Sequence, residues 1–171
     1  LSKFRMLKKD SGLDRASVVD IGSGTGYFPR YLNSKGWQCT GIEISDEARQ
    51  FAARVNNTIL LAPEESNTII SGSADIVTMW HTLEHFYDPD GYLIESFRIL
   101  KKNGLLVIAL PNHKSFDAGY YREHWAAWDV PRHLWHFNID TVQKMAGKHG
   151  FSLQDIHRLP FDSFYVSILS E

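Results

Sequence analysis

The chain has 171 residues, is 43% hydrophobic and 22% charged, and carries a formal net charge of -2. That is the balance of one ordinary globular domain spanning 1–171, and it excludes a disordered chain and gives no electrostatic footprint for nucleic acid or an anionic membrane. Cys39 is the single cysteine, so an internal disulfide and a Cys-rich metal site are ruled out, a cytoplasmic setting is expected, and no apolar run is long enough for a membrane span.

Residues 2–12 read as a short helix with Lys3, Arg5, Lys8 and Lys9 on a solvated face, placed to cover a ligand from above and ending at Gly12. Val18-Val19-Asp20-Ile21 is an apolar, β-branched strand. It runs into Gly22-Ser23-Gly24-Thr25-Gly26, and Tyr27 and Phe28 then open a helix to Lys35, with Pro29 tolerated in its first turn. Alternating glycines suit a loop that turns sharply and lets a ligand approach the backbone, at a helix N-terminus whose N–H groups are free.

Trp37 to Ile44 is the second strand, tipped by Glu43 about 20 residues past the first glycine, where a βαβ unit puts an acid able to accept from both hydroxyls of a ribose. Ser45 caps a helix running to about Asn56, with Glu47 in its first turn. Over residues 57–74 either Thr58-Ile59-Leu60-Leu61 or Thr68-Ile69-Ile70 could supply the third strand, and Pro63-Glu64-Glu65-Ser66 reads as a loop or one helical turn. Asp75 to Trp80 is a buried strand entering His81-Thr82-Leu83-Glu84-His85; a helix from about Pro89 to Leu100 follows, closed by Lys101-Lys102-Asn103-Gly104. Leu105 to Leu110 is the fifth strand, stopped by Pro111.

This alternation predicts an α/β fold: a Rossmann-like, doubly wound, mainly parallel sheet with helices on both faces. Ligands bind at the carboxyl ends of such strands, which places Gly22 to Gly26, Glu43, Trp80 to His85 and Pro111 to His113 on one rim.

Residues 112–138 break the rhythm as an insertion rich in aromatics and histidines, among them His113, Phe116, Trp125, Trp128, His133 and His136, a composition suited to enclosing a substrate. Asn138 or Asp140 caps a helix ending at Gly150, and Phe151 to His157 and Phe164 to Leu169 read as closing strands. The sequence starts at Leu1 and stops just after an apolar stretch, as an excerpt of a longer protein would.

Together, residues 18–26, Gly41-Ile42-Glu43, residues 75–85, residues 99–106, Pro111-Asn112 and the helix leading into Gly150-Phe151 resemble the class I S-adenosylmethionine-dependent methyltransferases, in the style of the ubiquinone-biosynthesis O-methyltransferases. The resemblance implies S-adenosyl-L-methionine as cofactor and a small molecule as acceptor, with oxygen slightly favoured. It also implies a cofactor site of Asp20, Gly22, Ser23, Gly24, Thr25, Gly26, Tyr27, Phe28, Glu43, Ile44, Trp80 and His81. Asp20 would fix the loop, Glu43 would hold the ribose hydroxyls, Ile44 would pack on adenine, and Trp80 and His81 would border the reactive methyl. The acidic residue often found before the fourth strand, near the adenine amine, has no counterpart at Ser71-Gly72-Ser73.

Methyl transfer asks the protein for alignment, exclusion of water and, for a hydroxyl acceptor, a base. His81, His113, His133 and His136 are the base candidates by residue type. His81, Glu84 and His85 fall at i, i+3 and i+4, a spacing that could gather three metal ligands; no metal is assigned, and the turn is read as fixing the loop through hydrogen bonds. Two other readings use the same features: an NAD-dependent oxidoreductase and a non-catalytic S-adenosylmethionine-binding domain. The glycine spacing speaks against the first, because Tyr27 follows Gly26 where the dinucleotide fingerprint needs its third glycine one position later.

Overall fold

A computed structural model describes residues 2–170. It divides into two compact units, one made of the chain up to Trp80 together with Arg98–Ile108, the other of His81–Phe97 and the chain from Ala109 onward.

The first unit is built on a sheet. In chain order its elements are helix α1 (Ser2–Ser11), strand β1 (Ser17–Ile21), helix α2 (Tyr27–Ser34), strand β2 (Gln38–Ile42), helix α3 (Asp46–Val55), strand β3 (Leu60–Leu61) and strand β4 (Ala74–Trp80). Helix α4 (Pro89–Ile99), most of which belongs to the second unit, leads into strand β5 (Leu100–Ala109). The strand order is β3-β2-β1-β4-β5, and the β1–β2, β1–β4 and β2–β3 pairs are parallel. Strand β1 is buried along almost its whole length, as befits a central parallel strand, with Asp20 the buried polar residue among Val18, Val19 and Ile21. The order doubles back between β1 and β4, and a sheet of this kind opens its ligand crevice there, beyond the carboxyl ends of the strands. A core of Leu7, Val18, Leu32, Trp37 and Ile76 backs this sheet. Helix α1 joins it edge-on through Phe4, whose ring lies 5.1 Å from that of Trp37 and 5.9 Å from that of Tyr31.

Local signals set most boundaries. The Ser45 hydroxyl accepts from the Ala48 N–H at 3.2 Å and so starts α3. One open alternative is resolved and two stretches differ from the sequence expectation. Leu60–Leu61 is the third strand, and residues 63–68 form a 3-10 helix, because Glu65 reaches back to the Ala62 N–H at 2.8 Å. Lys101–Gly104 lies within β5 instead of closing α4: the Lys101 ammonium meets Asp75 at 2.7 Å, which favours extending the chain beside β4. Phe151 to His157 forms no strand, and Phe164 to Leu169 belongs to a helix. A short apolar run does not distinguish the two periods, and here Pro160 at the first helical position and Asp162 in the first turn decide for helix.

The second unit contains α5 (Phe116–Tyr121), α6 (Ile139–Lys148) and α7 (Pro160–Leu169), with 3-10 turns at Leu83–His85, Arg122–His124 and Ala126–Trp128. Its core gathers Ala118, Trp125 and Ala127 with Tyr121, Trp128 and Val166. Helix α7 is tied to it where the Ser170 hydroxyl accepts from the Ala126 N–H at 2.8 Å and the Ser167 hydroxyl donates to Asp117 at 3.0 Å. No helix among the described residues is long and apolar enough to cross a membrane.

Candidate functional site

Within the first unit the glycine loop leaves β1 through Gly22, Gly24 and Gly26, all left-handed with φ of 77°, 52° and 77°. Only glycine takes this conformation without strain. Two of these glycines have different reasons to lack a side chain. A Cβ on Gly26 would stand 2.9 Å from Ala52 Cβ, so Gly26 lets α3 pack close, whereas a Cβ on Gly24 would meet nothing within 4 Å and would project into open space.

The loop is pinned at several points. The Gly22 and Ser23 N–H groups donate to the Ile42 carbonyl at 2.8 and 3.0 Å. The Ser23 hydroxyl lies 2.8 Å from the Asp20 carbonyl oxygen and 2.9 Å from its Oδ2, and the Thr78 hydroxyl donates to Asp20 Oδ1 at 2.5 Å. Asp20 thus ties the Ser23 hydroxyl to the Thr78 hydroxyl, helped by register: Asp20 pairs with Gly41 on one side and Thr78 on the other. A Cβ at Gly41 would fall 2.5 Å from the Ser23 Oγ, so that glycine makes room for the Ser23 side chain. Burial pushes the Asp20 carboxyl up to about 6, against the two hydroxyl donors that favour its charged form. Asn56, which the sequence reading passed over, donates to the Thr25 carbonyl at 2.7 Å and is held by Arg30 at 3.0 Å.

Glu43 stands at the tip of β2, nearly buried. Its Oε2 accepts from the Gly24 N–H at 2.7 Å and its Oε1 from the Ser45 N–H at 2.9 Å. A carboxylate has about four acceptor positions, so each oxygen keeps capacity for a further donor such as a ribose hydroxyl. Beside it Ile44 is 77% exposed, an apolar platform on the same rim. Strand β3 pairs with β2 through Ile42 and Leu61, and the chain beyond it carries Glu64 and Glu65. Tyr27 is exposed, while Phe28 packs edge-on against Trp80 at 5.7 Å, and the Lys3 ammonium lies 4.5 Å over the Trp80 ring. The basic helix thus covers an aromatic at the strand end. An open cradle at Gly24, a carboxylate with spare acceptors and an exposed apolar side chain fit a nucleoside bearing an amino-acid tail.

In the second unit the four candidate bases are each engaged differently. His81 holds φ at 54°, unusual for a non-glycine residue. Its Nε2 lies 2.8 Å from Asp162 Oδ2. A carboxylate only accepts, so Nε2 carries the proton and Nδ1 the lone pair. His113 uses its Nε2 lone pair on the Asn138 amide at 3.1 Å; the Thr141 N–H, bound to Asn138 Oδ1, sets that amide's orientation. The His113 acceptor nitrogen is thereby occupied in this arrangement. His136 donates from Nε2 to the Trp128 carbonyl at 2.9 Å, and His133 from Nδ1 to the Ala127 carbonyl at 2.8 Å. The open cleft of about 710 Å³ in this unit is lined by Tyr120, Tyr121, His124, Leu169 and Ser170, and by none of the four.

Glu84 is 1% exposed, and burial pushes its carboxyl up to about 7. Burial also lowers His133. The proposed i, i+3, i+4 face is not a helical turn that includes His81, since the 3-10 turn begins only at Leu83. The side chains that gather are Glu84, His85 and His133, while His81 pairs with Asp162 and approaches Glu84 only to 3.8 Å.

Residues 4–156 match the family model described as a methyltransferase domain. A ubiquinone biosynthesis O-methyltransferase from Pelagibacter ubique is 27% identical over 117 residues, covering 66% of this chain and 49% of that protein. A demethylmenaquinone methyltransferase from Tropheryma whipplei is 31% identical over 117 residues, covering 61% and 46%. The chain thus spans about half the length of these curated relatives. Among solved structures, a SAM-dependent methyltransferase from Thermotoga maritima, titled a possible histamine N-methyltransferase, superposes with a TM-score of 0.68 at 23% identity, covering 89% of this chain and 78% of that one. That likeness establishes the shared fold.

Proposed function

Because this chain belongs to the methyltransferase-domain family, whose methyl donor is S-adenosylmethionine, we propose that it binds that cofactor at the glycine loop and transfers its methyl to a small-molecule acceptor, with a hydroxyl oxygen favoured. The observation that carries the reading is the clamp at the strand tips, where Glu43 accepts from Gly24 and Ser45 and keeps acceptor capacity on both oxygens. The names of the two curated relatives support a small acceptor, and one of them specifies oxygen. The lone Cys39 suits a cytoplasmic setting.

S-adenosylmethionine supplies a methyl already activated by its sulfonium. Glu43 would take the ribose diol, Ile44 would pack on the adenine, and Glu64 would be the acid available to the adenine amine. Asp20, Thr78 and Asn56 keep the loop in its bound shape beforehand, so binding does not have to order it. Within the second unit, Asp162 holds the His81 Nε2–H and leaves Nδ1 to receive a proton, which makes His81 the base proposed for a hydroxyl acceptor.

The test is a thermal shift panel with S-adenosylmethionine, S-adenosylhomocysteine and NAD. Both sulfur ligands should raise the melting temperature and NAD should not, since a ligand stabilises only the fold it binds. Stabilisation by NAD alone overturns the reading. Tritiated methyl transfer to phenolic and to amine acceptors then distinguishes the acceptor atom; labelling of amines alone moves it to nitrogen, and labelling of neither leaves a cofactor-binding domain without catalysis.

A further inference from the structure

We propose that Arg49 is a positioning residue for the nucleoside end of the cofactor, fixing the strand tip from which Glu43 and Ile44 meet the ribose and the adenine. The inference rests on the cofactor reading above and adds a residue to that site. Glu43, Ile44 and Ser45 are all that separate β2 from α3. Arg49 closes the first turn of α3, its N–H donating to the Ser45 carbonyl at 3.0 Å, and its guanidinium reaches back across the bend. There Nη1 donates to the Glu43 carbonyl at 2.6 Å and to the Ile44 carbonyl at 2.8 Å, while Nη2 donates to Asp46 Oδ1 at 3.2 Å.

One nitrogen gripping two successive carbonyls shows what the side chain does. In a continuing strand neighbouring carbonyls point to opposite edges and cannot share a donor. Here the chain has turned, and the guanidinium holds it turned. Its rigid fork of N–H groups suits several acceptors at once, and bonds from an ionised donor are shorter and stronger than neutral ones. The ion pair with Asp46 adds little, since that carboxylate is 66% exposed, so the hold on the two carbonyls is the larger effect.

What is held bears directly on the site. The Glu43 carboxylate has its own restraints in the Gly24 and Ser45 N–H groups. Ile44 is 77% exposed, and an exposed apolar side chain on a free bend gains by folding back onto other apolar surface. Fixing the carbonyls of Glu43 and Ile44 keeps that side chain on the rim and sets the direction from which the Glu43 side chain leaves the backbone. A bend ordered in the free protein spares the ligand the cost of ordering it.

The experiment is isothermal titration of S-adenosylhomocysteine and of methylthioadenosine, which keeps the nucleoside and lacks the amino-acid tail. The proteins are the parent chain, Arg49→Met, Arg49→Lys, Glu43→Ala and the double variant of Arg49→Met with Glu43→Ala, each checked for folding by its melting curve. Arg49→Met, which keeps the apolar stem, should weaken both ligands by about tenfold and by the same factor, because the nucleoside is common to them. In the Glu43→Ala background the same substitution should cost less than about threefold, since residues acting through one contact are not additive. Arg49→Lys keeps the charge without the fork and guards against loss of folding in the neutral variant; its affinities should lie between those of the parent and Arg49→Met. Unchanged affinity in both Arg49 variants overturns the proposal. So does a loss confined to S-adenosylhomocysteine, which would place the effect at the glycine loop, or an equally large loss in the Glu43→Ala background. Failure of the parent to bind either ligand overturns the cofactor reading and this inference with it.

Discussion

The glycine loop and the turn at Leu83–His85 both gather polar groups, but they are held in place by different means. In the loop the presenting groups are largely backbone, and the parallel register of β1, β2 and β4 sets their positions: Gly24 faces Glu43, and Asp20 lies level with Thr78. In the turn they are side chains, brought from Glu84, His85 and His133 by a segment whose own hydrogen bonds go to backbone carbonyls. A loop fixed by sheet register tolerates few changes, each with an effect on stability, whereas a side-chain cluster can lose a member and keep its fold.

The largest effect on that comparison is expected at Gly26. Alanine there combines left-handed strain with overlap against Ala52 Cβ at 2.9 Å, and should lower unfolding free energy by about 3–4 kcal/mol in urea titration. A loss under 1 kcal/mol would show that α3 is not locked to the loop.

Asp20 comes next. Its carboxyl is raised from 3.8 to about 6 by burial, so the folded chain holds a proton that the unfolded chain has released between those values. Its contribution to stability is present below about 3.8 and is lost as pH rises through about 6. Asp20→Asn keeps an acceptor for Thr78 and carries no charge to bury. Between pH 4 and 7 the parent should lose on the order of 3 kcal/mol relative to this variant, measured by chemical denaturation. Parallel pH profiles would mean that Asp20 is not buried as described.

Gly24→Ala should show the smallest stability change, about 1–2 kcal/mol, because only backbone strain is added. Its added methyl fills the open cradle, so S-adenosylhomocysteine binding should fall far more than stability does. Equal affinity in this variant would place the cofactor elsewhere.

The first region was largely readable before any coordinates. Alternate glycines, the acid one βαβ unit later and Ser45 as a cap are local signals, and each sits where its chemistry requires. Thr78 and Asn56 were not readable, since their roles arise from strand register and from a helix end reaching back 31 residues to Thr25. The second region was readable only in composition. His81, Glu84 and His85 suggested a cluster by spacing, but His133 joins through a loop 48 residues further on, and Asp162 reaches His81 from the stretch between the two expected closing strands. Side-chain convergence across long loops leaves no periodic trace in sequence.

The most direct test is isothermal titration of S-adenosylhomocysteine into the parent chain and into Glu43→Ala, with melting curves confirming that both are folded. The parent should bind one equivalent and the variant should bind about 100-fold more weakly, the loss expected for hydrogen bonds to a charged group. Equal affinity in the two proteins, or no binding by the parent, would contradict a cofactor site at the glycine loop.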